Sequence, residues 1–113
     1  MSNDEIVKIA VNALENVKGE NIQVIDTQQS SPLFSKIIIC TGNSNRQVSA
    51  LAHHVNEDFK ANNIHVIGVE GKRGGEWVLV DAGDIVVHIM LRQVREYYDL
   101  ETLWSRESTQ AIK

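Results

Sequence analysis

Gly75-Glu76-Trp77-Val78-Leu79-Val80-Asp81-Ala82-Gly83-Asp84-Ile85-Val86-Val87-His88-Ile89 is the stretch that decides the fold. Two apolar runs flank an Asp-Ala-Gly-Asp break, the pattern of a β-hairpin. With Ala82-Gly83 as the loop, Asp81 lies opposite Asp84, Val80 opposite Ile85, Val78 opposite Val87 and Trp77 opposite His88. Opposed residues share a face of the sheet, and successive residues alternate faces. One face is then aliphatic, with Val78, Val80, Ile85, Val87 and Ile89. The other carries Trp77, Leu79, Asp81, Asp84, Val86 and His88, a mixture better suited to binding than to a core. A one-residue slip would instead place Trp77 and Leu79 beside Ile85, Val87 and Ile89. Gly83 in a bulge after a type I turn is a further alternative. The first register separates aliphatic from polar residues more cleanly and is preferred.

Working outward, Ser2-Asn3-Asp4-Glu5 is a capping box, a hydroxyl at the cap with a carboxylate three residues on. Ile6, Ile9, Ala10, Ala13, Leu14 and Val17 follow at helical spacing, and Lys18-Gly19 closes the helix. Ile22 to Asp26 reads as a short strand, and Thr27 to Ser35, with the single proline Pro32, as a loop. Lys36 to Thr41 is nearly continuous apolar sequence, as in a strand buried on both faces. Ser44 and Gln47 suggest a second capping box before the stripe Val48, Leu51, Ala52, Val55 and Phe59. Asn62-Asn63 ends that helix, and Ile64 to Val69 is expected as the next strand. The strand–helix–strand unit predicts a right-handed crossover joining parallel strands. After the hairpin, Leu91 to Trp104 reads as helix, with a break near Tyr98-Asp99.

The predicted class is α/β: one mixed sheet in the order α-β-β-α-β-β-β-α, with helices mainly on one side. The opposite sheet face should be partly open. At 113 residues the chain makes one domain, expected over residues 1–106, with a polar, disordered tail over 107–113. The net charge of −4 and the scattered Lys and Arg argue against a phosphate-backbone binder and favour a basic partner. The one cysteine, Cys40, rules out an internal disulfide and a cysteine-cage zinc site, and it suits a reducing cytosol. With neither an apolar span nor a signal-peptide layout, a soluble cytoplasmic protein without membrane contact is expected.

Several groups could carry chemistry. Gly42-Asn43-Ser44, between a strand and a helix N-terminus, resembles the nucleotidyltransferase fold, where free amides bind an anion. That chemistry needs paired carboxylates on adjacent strands for magnesium, and the expected Asp-x-Asp after the serine is missing. An N-cap serine after a turn glycine accounts for the motif more simply. Asp81 and Asp84 could act as an acid/base pair, although aspartates are common in turns for local hydrogen bonding. His53 and His54 project about 100° apart on a helix and make a poor metal pair. His88 reads as a half-buried sheet histidine and Cys40 as an inert core residue. Trp77 and a tyrosine beside Arg92 and Arg95 have the composition of an interface hot spot.

Longer motifs sharpen this. Cys40-Thr41-Gly42-x-Ser44-x-Arg46, then Glu70-Gly71, then Trp77-x-x-x-Asp81-x-Gly83-Asp84-x-x-Val87-His88, then Arg95-x-x-Tyr98-x-Leu100-Glu101-x-Leu103-Trp104, follow one another at specific spacings, within a match that covers about residues 3 to 106. In this order the chain resembles the ribosomal silencing factor family, also called RsfS, Iojap-like or YbeB. The resemblance implies a nucleotidyltransferase-like fold without catalytic carboxylates, hence no enzyme activity, no cofactor and no metal. It further implies binding to the large ribosomal subunit through its ribosomal protein number fourteen, blocking small-subunit joining when nutrients are short. Relatives in organelles are tied to large-subunit assembly. Carried over by position, Trp77, Asp81, Asp84, His88, Arg95, Tyr98 and Glu101 are the expected partner-binding residues. The chain departs from the family at Ser35-Lys36, where Asp-Tyr is common, losing an acid and an aromatic. An open face with Trp77 could also pair with its own copy, so a weak homodimer is expected, with little direct nucleic-acid binding.

Overall fold

Ser2 starts the first helix through both halves of the expected cap. Its Oγ accepts the Glu5 N–H at 3.3 Å, and the Glu5 carboxylate accepts the Ser2 N–H at 3.1 Å. A computed structural model of the chain describes residues 2–27, 35–71 and 75–98. The element order is α1 (Asn3–Asn16), β1 (Glu20–Asp26), β2 (Lys36–Gly42), α2 (Asn45–Ala61), β3 (Gly68–Glu70), β4 (Trp77–Asp81), β5 (Ile85–Leu91) and α3 (Arg92–Tyr98). This is the order predicted from sequence. The helical reading beyond Tyr98, including Glu101 and Trp104, and the tail at 107–113 lie outside the described residues.

Gly19 turns the chain from α1 into β1 over the sheet. A Cβ at this position would stand 2.4 Å from the Cys40 sulfur, so only a bare backbone can approach β2 this closely. The start of α2 differs from expectation in an informative way. Ser44 Oγ accepts the Gln47 N–H at 3.1 Å, as a cap should. Gln47 does not reciprocate to Ser44. Its carbonyl oxygen accepts the Asn43 N–H, while its amide donates to the Val17 and Lys18 carbonyls, each at 3.1 Å. One side chain thereby satisfies an orphan donor before α2 and two orphan acceptors at the end of α1.

The five strands form one sheet in the spatial order β1-β2-β5-β4-β3. β2 and β5 pair parallel at its centre, from Lys36↔Ile85 to Gly42↔Leu91, and the other neighbours are antiparallel. The strands flanking α2 run parallel as predicted, but β5 and β4 lie between them. The reason is burial. β5 is buried at every position but His88 and takes the centre, whereas β3 is three residues long and partly exposed, as an edge strand tends to be. The strand expected over Ile64 to Val69 shrinks to Gly68–Glu70. Asn63 at φ +60° and the Ile64 N–H bonded to the Phe59 carbonyl at 2.8 Å still belong to the helix exit.

The hairpin corrects the predicted loop. Asp81 does not face Asp84. Ala82 donates to the Ile85 carbonyl at 2.9 Å, and the two-residue loop is Gly83-Asp84. Glycine at the first loop position, here at φ +90°, suits a type II′ turn, which Ala82 could not enter without strain. The pairs become Asp81↔Val86, Val80↔Val87, Leu79↔His88, Val78↔Ile89 and Trp77↔Met90. Relative to expectation each partner moves by two residues, so every strand side chain keeps its predicted face. The one-residue slip is thereby ruled out.

The aliphatic face packs under α1 and α2. Val78, Val80, Val87 and Ile89 are fully buried there with Ile38, Cys40, Leu51, Val55 and Phe59. On the other face Ile37, Ile39 and Met90 form a smaller buried cluster, with Ile25, Trp77 and Val94 of α3 packed against it. The second face is therefore closed over β2 and half-open over β4 and the middle of β5, a narrower opening than a bare sheet would give.

Candidate docking surface

Alternation along β4 brings Trp77, Leu79 and Asp81 to the second face, each half-buried between buried Val78 and Val80. His88 is the one residue of β5 that is only half-buried. Its cross-strand partner is Leu79, and Trp77 reaches it diagonally, at the distance long side chains span between neighbouring strands. The Trp77 indole Nε1–H donates to His88 Nδ1 at 3.0 Å, with ring centroids 5.8 Å apart and planes tilted by 49°.

That hydrogen bond requires an unprotonated Nδ1, which puts the proton of the neutral ring on Nε2. The surroundings favour this state. Burial drives the His88 pKa down to about 4, because a charged imidazole there would lose its hydration. Trp77, Leu79 and His88, with Glu70 and Gly71 from the end of β3, line an open depression that is almost wholly apolar. Gly71 sits at φ +83°, where a Cβ would lie 2.2 Å from the Trp77 carbonyl oxygen, so glycine lets the depression's wall close onto β4.

The other expected contact residues divide. Asp81 lies on the surface at the end of β4, but its Oδ1 accepts the Gly83 N–H at 2.8 Å and so shapes the turn. Asp84 leaves the strand face for the exposed loop tip, and its carbonyl accepts the Ser35 and Lys36 N–H groups at 2.7 and 3.1 Å, setting the entry of β2. Arg95 is only 8% exposed. Its guanidinium donates to Thr41 Oγ1 at 2.7 Å and to the Asn21 carbonyl, tying α3 to the far end of β2 and β1. It supports the face from within rather than projecting from it. Tyr98 is the last residue of α3, and Glu101 lies outside the described residues.

Leu79 and Glu70 belong to the depression but were not among the expected contact residues. Alternation already put Leu79 on this face, whereas Glu70 joins it only through β3–β4 pairing opposite Leu79. Lys36, the departure from the family pattern, forms an ion pair with Asp26 at 3.5 Å across β1 and β2.

The remaining groups with possible chemistry lie in separate parts of the fold. At the N-terminus of α2 the Gln47 and Asn43 amides are already capped by side chains. Among the described residues no group of three or more His, Cys, Asp or Glu side chains converges as a metal site. His53 and His54 diverge toward Glu57 and Asp58, at 3.9 and 3.7 Å. Cys40 is sealed in the core, and burial pushes its thiol up to about 11, so it holds little thiolate near neutrality. No described helix is long and apolar enough to cross a membrane.

The family model described as "Ribosomal silencing factor during starvation" matches residues 1–113. A Chromobacterium violaceum protein named ribosomal silencing factor RsfS is 52% identical over 104 residues, 92% of this chain and 85% of that protein. The Bacillus subtilis protein of the same name is 39% identical, over 92% of this chain and 88% of its own. Mouse mitochondrial assembly of ribosomal large subunit protein 1 is 30% identical over 90% of this chain and 46% of its own length. A crystal structure of a C. violaceum protein superposes with a TM-score of 0.92 at 51% identity, covering 93% of this chain and 88% of that one. A second, from Bacillus halodurans, gives 0.82 at 37% identity, covering 90% and 95%. With the motifs, the element order and the full-length match in agreement, the chain belongs to the ribosomal silencing factor family.

Proposed function

We propose that this protein represses translation by occupancy: it docks on the large ribosomal subunit, through ribosomal protein number fourteen, and blocks joining of the small subunit under nutrient limitation. The observation that carries the reading is the half-open second face. There Trp77, Leu79 and His88 surround an apolar depression with Glu70 at its wall, and Asp81 lies further along the same strand. Large aromatics in partly desolvated sites dominate binding energy, while acids at a rim speed encounter with a basic partner and set orientation. The net charge of −4 agrees with such a partner. Docking would bury about 800 Å² per partner for a standard interface, so the contact would extend beyond the depression onto its rim. Trp77, His88 and Asp81 are the proposed contacts on β4 and β5, Asp84 contributes from the loop tip, Arg95 supports from beneath, and Tyr98 and Glu101 are proposed as contacts on their match to the family's motifs alone.

Such a mechanism needs no turnover, cofactor or metal and operates in the cytoplasm, where the ribosomes are. A second copy could cover the same face, so we expect weak self-association that the ribosomal partner displaces. The test is sedimentation of lysate on a gradient. Co-migration with free large subunits, and absence from joined ribosomes, is the expected result. A protein found equally on joined ribosomes would end the occupancy reading. A second reading, a role in large-subunit assembly, is favoured by the name of the mouse mitochondrial relative. It predicts accumulation of immature large subunits when the protein is removed, with joining of mature subunits unaffected.

A further inference from the structure

Trp77 stands opposite Met90 on β5, yet its indole is bonded to the diagonal neighbour, His88. An indole has one N–H and no acceptor, so that bond turns its Nε1 edge toward His88, while packing against Ile37, Ile39 and Met90 seats the rest of the ring. His88 is held in turn on the central strand, between Leu79 on β4 and Ile39 on β2, which limits the freedom of the acceptor.

We propose that His88 is a positioning residue of the docking surface: its Nδ1 pins the Trp77 indole in a binding-ready orientation before the partner arrives. The inference rests on the docking reading given above. Binding energy from a large side chain is reduced by the entropy lost when it is immobilised, so an indole already fixed in the free protein loses less on association. Burial supports this arrangement, because it keeps the imidazole neutral and its Nδ1 lone pair available at ordinary pH. The acid nearest in the depression, Glu70, comes from the neighbouring β3 and is exposed to solvent; Asp81, on β4, is committed to the turn amide.

The test is a double-mutant cycle on the full chain, with affinity for purified large ribosomal subunits as one readout and the indole Nε1–H resonance as the other. His88→Leu keeps the bulk and removes the acceptor, and should weaken binding about tenfold, the worth of one hydrogen bond's pre-organisation. In a Trp77→Phe background, which has no N–H to pin, the same change should cost clearly less, leaving only what His88 contributes by its own contact. His88→Asn, whose Oδ1 falls near the position of Nδ1, should recover part of the loss. The Trp77 indole resonance, assigned by its disappearance in Trp77→Phe, should leave its hydrogen-bonded position in His88→Leu. Equal losses in both backgrounds, or an unmoved resonance, would overturn the proposal. If the unmodified protein fails to bind large subunits, the docking reading falls by itself, and the resonance still decides whether His88 pins Trp77.

Discussion

The two faces of the β4–β5 hairpin are built from the same ten or so residues and behave as different materials. Val78, Val80, Val87 and Ile89 are fully enclosed by α1 and α2. One position away along each strand, Trp77, Leu79, Asp81 and His88 are half-buried around an apolar depression. Both faces are rich in apolar carbon, so hydrophobicity alone does not separate them. What separates them is chemistry at the edges of the side chains. The enclosed face has no polar atom to satisfy, while the other carries an indole N–H, an imidazole and a carboxylate that have found partners within the hairpin. A polar group with a local partner can sit at a half-open surface without demanding either full burial or full solvation.

This contrast can be broken or sharpened by experiment, beginning with the largest effect. Ile89→Ala should cost about 2–5 kcal/mol of folding stability, read by denaturant unfolding, because it leaves a void between sheet and helices. Trp77→Ala should cost at least about 2 kcal/mol of large-subunit binding while the chain stays folded. If it instead unfolds the chain as Ile89→Ala does, the two faces are the same material and the docking surface is lost. Arg95→Met should lower stability by about 2 kcal/mol through its bonds to Thr41 and Asn21, with binding to large subunits falling only as the second face loosens.

A smaller effect follows from His88, whose pKa lies near 4 when folded against about 6.5 unfolded. The depressed value means that the unfolded chain binds the proton more readily. The contribution of the neutral imidazole to stability is therefore complete above pH 6.5 and is lost as pH falls toward 4. Unfolding midpoints measured across that window should decline in the native chain and decline less in His88→Leu. The smallest effect concerns the enclosed side. Gln47→Ala should cost about 1 kcal/mol, read by thermal unfolding, since water can replace part of its clamp between α1 and α2.

Much of this was legible in the residues. The capping box at Ser2, the stripe from Val48 to Phe59 and the run from Lys36 to Thr41 specify their elements locally, since capping chemistry and apolar period act over a few residues. The site was legible in part for the same reason. Alternation put Trp77 and His88 on one face, and that survives a two-residue error in register because the period of a strand is two. The hairpin loop itself was misplaced, since Gly83-Asp84 and Ala82-Gly83 differ only in which glycine position the turn geometry rewards. Arg95 looked like a surface hot spot because arginine is usually exposed; its burial depends on Thr41 and Asn21, both more than fifty residues away in the chain.

The sequence by itself therefore determined the elements, their order, and which side chains share a face of the hairpin, all consequences of short-range periodicity and local hydrogen bonding. Tertiary structure alone decided that β5, not β3, lies beside β2, that Gln47 clasps the end of α1, and that the Trp77 indole is tied to His88 rather than left free. Those outcomes come from competition among distant segments for burial and for hydrogen-bond partners, and no window of neighbouring residues contains the competitors.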